Sequence, residues 1–80
     1  MRIATIHAPS LINYLKSDPY NAIEKPIQYG VQYTLASGII CNLHYSEKMP
    51  DELSFTMQNQ QANAEETQLI ERFVSCIRLK

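Results

Sequence analysis

Four side chains of metal-binding or nucleophilic type stand out in this sequence: His7, Cys41, His44 and Cys76. Histidine and cysteine supply the nitrogen and sulfur ligands of zinc sites, which draw on short fixed spacings such as Cys-x-x-Cys or His-x-x-x-His. Neither spacing occurs here. Cys41 and His44 are three residues apart in a stretch that reads as a strand, so they point to opposite faces and cannot share an ion. The sequence therefore implies no metal site, and nothing in it calls for a cofactor. Nucleophilic catalysis demands a Ser or Cys beside a base that a third group orients. Cys41 has no cation and no helix start beside it in sequence to lower its pKa, so it reads as a buried neutral thiol. The carboxylates fall in turns and at the start of the last helix, where solubility and capping account for them. Two glycines are too few to build a phosphate-cradling loop. No catalytic set emerges, and the expectation is a protein that is not an enzyme.

Function must then rest on a surface, and one stretch offers it. Residues 26–46, PIQYGVQYTLASGIICNLHYS, contain no Asp, Glu, Lys or Arg. Apolar residues alternate on both sides of Ser37-Gly38, the pattern of a β-hairpin over 27–45. A two-residue loop would set Leu35 against Ile40 and Tyr33 against Asn42, apolar against polar. A three-residue loop Ala36-Ser37-Gly38 pairs Leu35 with Ile39, Tyr33 with Cys41, Val31 with Leu43 and Tyr29 with Tyr45. Only the second register puts both apolar sets on one face, and it places Gly38 where such a loop needs a left-handed residue. The opposite face then carries Gln28, Gly30, Gln32, Thr34, Ile40, Asn42 and His44, with a side-chain gap over Gly30. An uncharged face costs little to desolvate. Strands guarded only by Pro26 also invite addition of another strand. Gln28, Gln32, Thr34, Ile40, Asn42 and His44 are accordingly the candidate protein-binding residues, for another protein or a second copy of the chain.

The elements around the hairpin must cover its tyrosine-bearing face. Residues 2–7 alternate as a short strand with apolar groups on both sides, which suits a central position or a strand covered on both sides. Ser10 and Asp18 both read as helix N-caps, the latter with Pro19 at the first helical position, so residues 10–25 are expected to form a broken helix or two helical turns. LSFTMQ, residues 53–58, reads two ways: its alternation and β-favouring side chains suit a strand, whereas Pro50-Asp51-Glu52 resembles a helix start with Leu53 and Met57 four apart. Asn63 and Glu66 have capping-box spacing, and Leu69, Ile70, Phe73, Val74, Cys76 and Ile77 form a broad apolar stripe before Arg78 and Lys80. The spacing predicts a helix over 63–78. The sequence leaves open whether Cys41 and Cys76 approach each other across the helix–sheet interface. The expected fold is α+β: a small two-layer sandwich whose antiparallel sheet of three to four strands packs on the C-terminal helix and the N-terminal helical turns.

Eighty residues suit a single domain, 1–80, with one core, and starting at Met1 the chain reads as a complete small open reading frame. A net charge of −1 gives no electrostatic footprint for nucleic acid or an anionic membrane. No apolar run is long enough for a signal peptide or a membrane span, and the expected compartment is the cytoplasm. The order α-β-β-β-α resembles the double-stranded-RNA-binding domain over most of the chain. That family grips phosphates with lysines at the start of its last helix, where this sequence has Asn63-Ala64-Glu65-Glu66, so the resemblance implies the fold without the RNA contacts. The functional expectation is a non-enzymatic protein-binding domain that self-associates. It would act as an accessory factor or inhibitor, of the kind a phage or mobile element encodes. The alternative is a nucleic-acid-binding module working through its sheet surface.

Overall fold

Alternation of apolar and polar residues builds five strands: β1 (Arg2–Ala4), β2 (Ile23–Ile27), β3 (Gly30–Thr34), β4 (Ile40–Tyr45) and β5 (Glu52–Gln58). Two helices join them, α1 (Ala8–Lys16) and α2 (Ala64–Arg78). The structure, a computed structural model, describes residues 1–78; Lys80 lies outside the described residues. The strands form one antiparallel sheet in the order β1-β5-β4-β3-β2, with β4 in the middle. Strands β2 to β5 run as a meander, and β1 closes the far side by pairing with β5. That last pairing is extended by the chain start, where the Met1 ammonium donates to the Phe55 carbonyl at 2.9 Å.

The core lies on a single face of this sheet. Ile3, Tyr33, Cys41, Leu43 and Phe55 project from that face and pack against Leu11 and Leu15 of α1 and Ile70, Val74 and Ile77 of α2. The shortest dimension of the molecule is 19 Å, room for the sheet and one layer of helices. The expected C-terminal helix packs as argued. Its first turn is capped by Asn63, whose Oδ1 accepts the Glu66 backbone N–H at 3.1 Å. The buried arc is narrower than the expected stripe, however: Thr67, Ile70, Val74 and Ile77 are buried, whereas Leu69 and Cys76 are exposed. A helix lying on a sheet buries one side only, and these two residues are a third of a turn off it. Phe73 is half-buried and stacks on Tyr14, ring centroids 4.1 Å apart.

Three expectations about the N-terminal half need correction. The opening strand ends at Ala4 and lies at an edge, not the centre, of the sheet; a single 3₁₀ turn over Thr5–His7 leads into α1. Helical structure begins at Ala8 with Pro9 in its first turn, so Ser10 is not the cap, and it stops at Lys16. The segment after Asp18-Pro19 is not helical but turns into β2, which pairs with β3 from Ile23↔Thr34 to Ile27↔Gly30. Pro26 is tolerated there because β2 is an edge strand, where a missing N–H would have faced outward. The sheet therefore has five strands instead of three to four, and the order is β-α-β-β-β-β-α instead of β-α-β-β-β-α, the added strand being β2.

The hairpin between β3 and β4 has the derived register. Tyr33 pairs with Cys41, Val31 with Leu43, and the Leu35 N–H donates to the Ile39 carbonyl at 2.8 Å across the loop Ala36-Ser37-Gly38. Gly38 has φ +100°, the left-handed conformation that the loop requires. What the alternation concealed is a second turn. Gln28 and Tyr29 form a two-residue loop between β2 and β3, with Tyr29 at φ +62°.

Candidate functional site: the uncovered sheet face

Because both helices sit on one side, the other side of the five-stranded sheet has no layer over it among the described residues. The register fixes its pattern in rows. Ile23, Thr34, Ile40 and Gln58 make one; Lys25, Gln32, Asn42 and Thr56 the next; Ile27, Gly30, His44, Ser54 and Arg2 the third. The centre is an amide ladder: Gln32 Nε2 donates to Asn42 Oδ1 at 3.2 Å, and Asn42 Nδ2 donates to Gln58 Oε1 at 3.3 Å. These bonds satisfy both ends of the Asn42 amide, which is only 6% exposed under its neighbours. Charge is confined to the two margins. Lys25 stands on β2, and at the opposite side Arg2 pairs with Glu52 at 3.2 Å.

Five of the six candidate residues, Gln32, Thr34, Ile40, Asn42 and His44, share this face. Gln28 does not; it sits in the turn between β2 and β3. The gap expected over Gly30 is also absent, because a Cβ there would overlap the Leu43 backbone carbonyl. Glycine is required at that position by the close approach of β4. Nor are β3 and β4 open to strand addition, since both are interior strands. The true edges are β2, guarded by Lys25 and Pro26, and the three-residue β1. The wider face also takes in residues the sequence reading passed over. Ser54, Thr56 and Gln58 were readable from the alternation in LSFTMQ; Ile23 and Lys25 were not, because their segment imitates a helix.

A second exposed feature lies at one corner. Tyr29 and Tyr45 were expected under the helices, and Tyr33 is indeed buried, but Tyr29 is 62% and Tyr45 57% exposed because α1 and α2 do not cover that end. Their rings meet edge to face with centroids 6.4 Å apart, and with Ser46, Glu47 and Lys48 they frame an open cleft of about 430 Å³.

The chemistry-bearing groups are dispersed. Cys41 is buried on the core face, which pushes its thiol up to about 12, away from the nucleophilic thiolate. Cys76 is exposed on α2, so the two thiols do not face each other across the core. His44 is on the opposite side of the sheet from Cys41. Burial, with the Glu24 carboxylate second, raises the Tyr33 phenol to about 12. Glu24 is itself held below its usual range, first by its hydrogen bond to Lys16, whose Nζ is 3.0 Å away. Among the described residues no three His, Cys, Asp or Glu side chains converge as a metal site would need, and no helix is long and apolar enough to cross a membrane. Comparison with protein-family models, curated proteins and solved structures finds no match to this chain.

Proposed function

We propose that this chain is a small protein-binding domain that acts by docking and not by catalysis, as an accessory factor or inhibitor, and that another protein sits on the uncovered sheet face. One observation carries the reading: a whole side of the sheet is left without a layer, and its middle holds amides, hydroxyls and aliphatic groups while charge stays at the margins. Such a surface loses little on desolvation, and its aliphatic members, Ile23, Ile27 and Ile40, gain by being covered. A nucleic-acid reading would draw on the exposed Tyr29–Tyr45 pair, which offers aromatic faces for stacking. Among the described residues Lys48 is the one cation framing that corner, and the chain carries a net charge of −1, which is poor support for phosphate binding. Protein docking is the better account.

The test compares two single charges placed on opposite sides of the molecule. Thr34→Arg puts a cation into the uncovered face at an already exposed position; Leu69→Arg does the same on the outer side of α2. Both are surface changes expected to move stability by no more than about 0.5 kcal/mol. In capture of partners from the native host, Thr34→Arg should lose the bound protein that the unaltered chain and Leu69→Arg retain. Equal capture by all three would overturn the assignment of the face.

A further inference from the structure

We infer that the open edge of β1 is a second docking site, where an extended segment of a partner protein, with an acidic residue beside an aliphatic one, adds as a further strand. The site lies at a margin of the sheet and stands whether or not the outer face is covered. The hydrogen bonding of β1 sets out its free groups. Met1 exchanges both backbone hydrogen bonds with Phe55, and the Thr5 N–H donates to the Asp51 carbonyl at 2.8 Å. By the two-residue period the odd positions face β5, so the Arg2 N–H and C=O and the Ala4 N–H point away from the sheet.

The other edge of the sheet differs. Ile27 opposite Gly30 closes a two-residue loop, so β2 turns Glu24 and Pro26 outward, and Pro26 has no N–H to donate. Lys16 also reaches Glu24 there, Nζ to Oε1 at 3.0 Å. An incoming strand thus meets two successive donors on β1 and an interrupted row on β2.

The side chains beside β1 say what the strand carries. A cleft of about 580 Å³ runs between β1, the 3₁₀ turn after it and the last turn of α2. Ile6 lines it and is 81% exposed, more than any other large apolar side chain among the described residues, and Ile77 of α2 lines it too. An aliphatic residue laid over Ile6 takes that surface out of water. Arg2, His7 and Arg78 share the cleft with one carboxylate, Glu52, which Arg2 already holds at 3.2 Å. Arg78 also offsets the carbonyl end of α2, so the surplus of positive charge is small. It matches one carboxylate of a peptide better than the repeated phosphates of a nucleic acid. A strand of three residues, about 10 Å long, admits only a short segment, and the contact is weak by itself.

An amide NMR titration of the full chain with two end-capped peptides, acetyl-Val-Glu-Val-Glu-Val-amide and acetyl-Val-Lys-Val-Lys-Val-amide, tests this. The glutamate peptide should shift the Arg2 and Ala4 amide signals and slow their hydrogen exchange; the lysine peptide should do neither. Ala4 has φ −67°, which proline adopts without strain, and its N–H is not used by β5. Ala4→Pro should therefore keep the spectrum of the fold and bind the glutamate peptide at least about tenfold more weakly. Arg78→Glu, at an exposed position, should turn the preference towards the lysine peptide. No response at the β1 edge up to millimolar glutamate peptide overturns the site. Binding by Ala4→Pro as tight as by the unaltered chain overturns strand addition. Equal binding of the two peptides, or an unchanged preference in Arg78→Glu, overturns the acidic partner.

Discussion

The two faces of the sheet are made by the same strands and differ in almost every physical respect. On the inner face Tyr33, Cys41, Leu43 and Phe55 are large, apolar and sealed under two helices. On the outer face their immediate sequence neighbours Gln32, Asn42, His44, Ser54 and Thr56 are small or polar and, among the described residues, have no helix over them. Adjacent residues thus serve opposite ends, one set fixing the fold and the next remaining free to meet a partner. A period of two keeps these roles apart, so substitutions on one face should leave the other's task intact.

The largest effect expected from breaking the inner face is that of Phe55→Ala. Phe55 is fully buried, and removing its ring should cost about 3–5 kcal/mol in a urea titration, a large share of the stability of so small a domain. A cost below about 1 kcal/mol would mean that the core is not centred where the packing places it. Next comes alkaline pH, which reaches the inner face through two buried groups. The Cys41 thiol rises from 9.0 to about 12 and the Tyr33 phenol from 10.0 to about 12, each chiefly through burial. Raised values mean that the neutral forms are favoured in the fold. Their contribution is complete below about pH 9 and is lost as pH climbs towards about 12. Urea midpoints should fall over that window, and Tyr33→Phe should flatten the fall; a midpoint constant to pH 12 would contradict the burial of both groups.

The smallest effect sharpens the boundary between the faces. Tyr29 occupies the left-handed region at φ +62°, at a turn position better suited to asparagine or glycine. Tyr29→Asn should raise the denaturation midpoint slightly, by about 0.5 kcal/mol. A drop would show that the contact with Tyr45 outweighs the backbone strain.

The same comparison explains what could be read without coordinates. The β3–β4 register was legible because a one-residue slip would have moved Tyr33 and Cys41 out of the core, and Gly38 marked the loop. The helix from Ala64 was legible from its cap and its apolar spacing. Strand β2 was not, because Asp18-Pro19 imitates a helix start and Pro26 imitates a stop. What decides its state is the open edge of β3, a tertiary partner that local grammar does not contain. The turn at Gln28-Tyr29 was hidden for a related reason: alternation continues through it, and neither residue is a usual turn former. The neutral character of the outer face was therefore visible, while its extent and its true edges were not.

The central claim is that the uncovered face is where another protein binds, and Thr34→Arg against Leu69→Arg measures it most directly. The account predicts that both variants melt within about 2–4 °C of the unaltered chain and that only Thr34→Arg loses the captured protein. Capture that survives Thr34→Arg, or that is lost equally with Leu69→Arg, would contradict it.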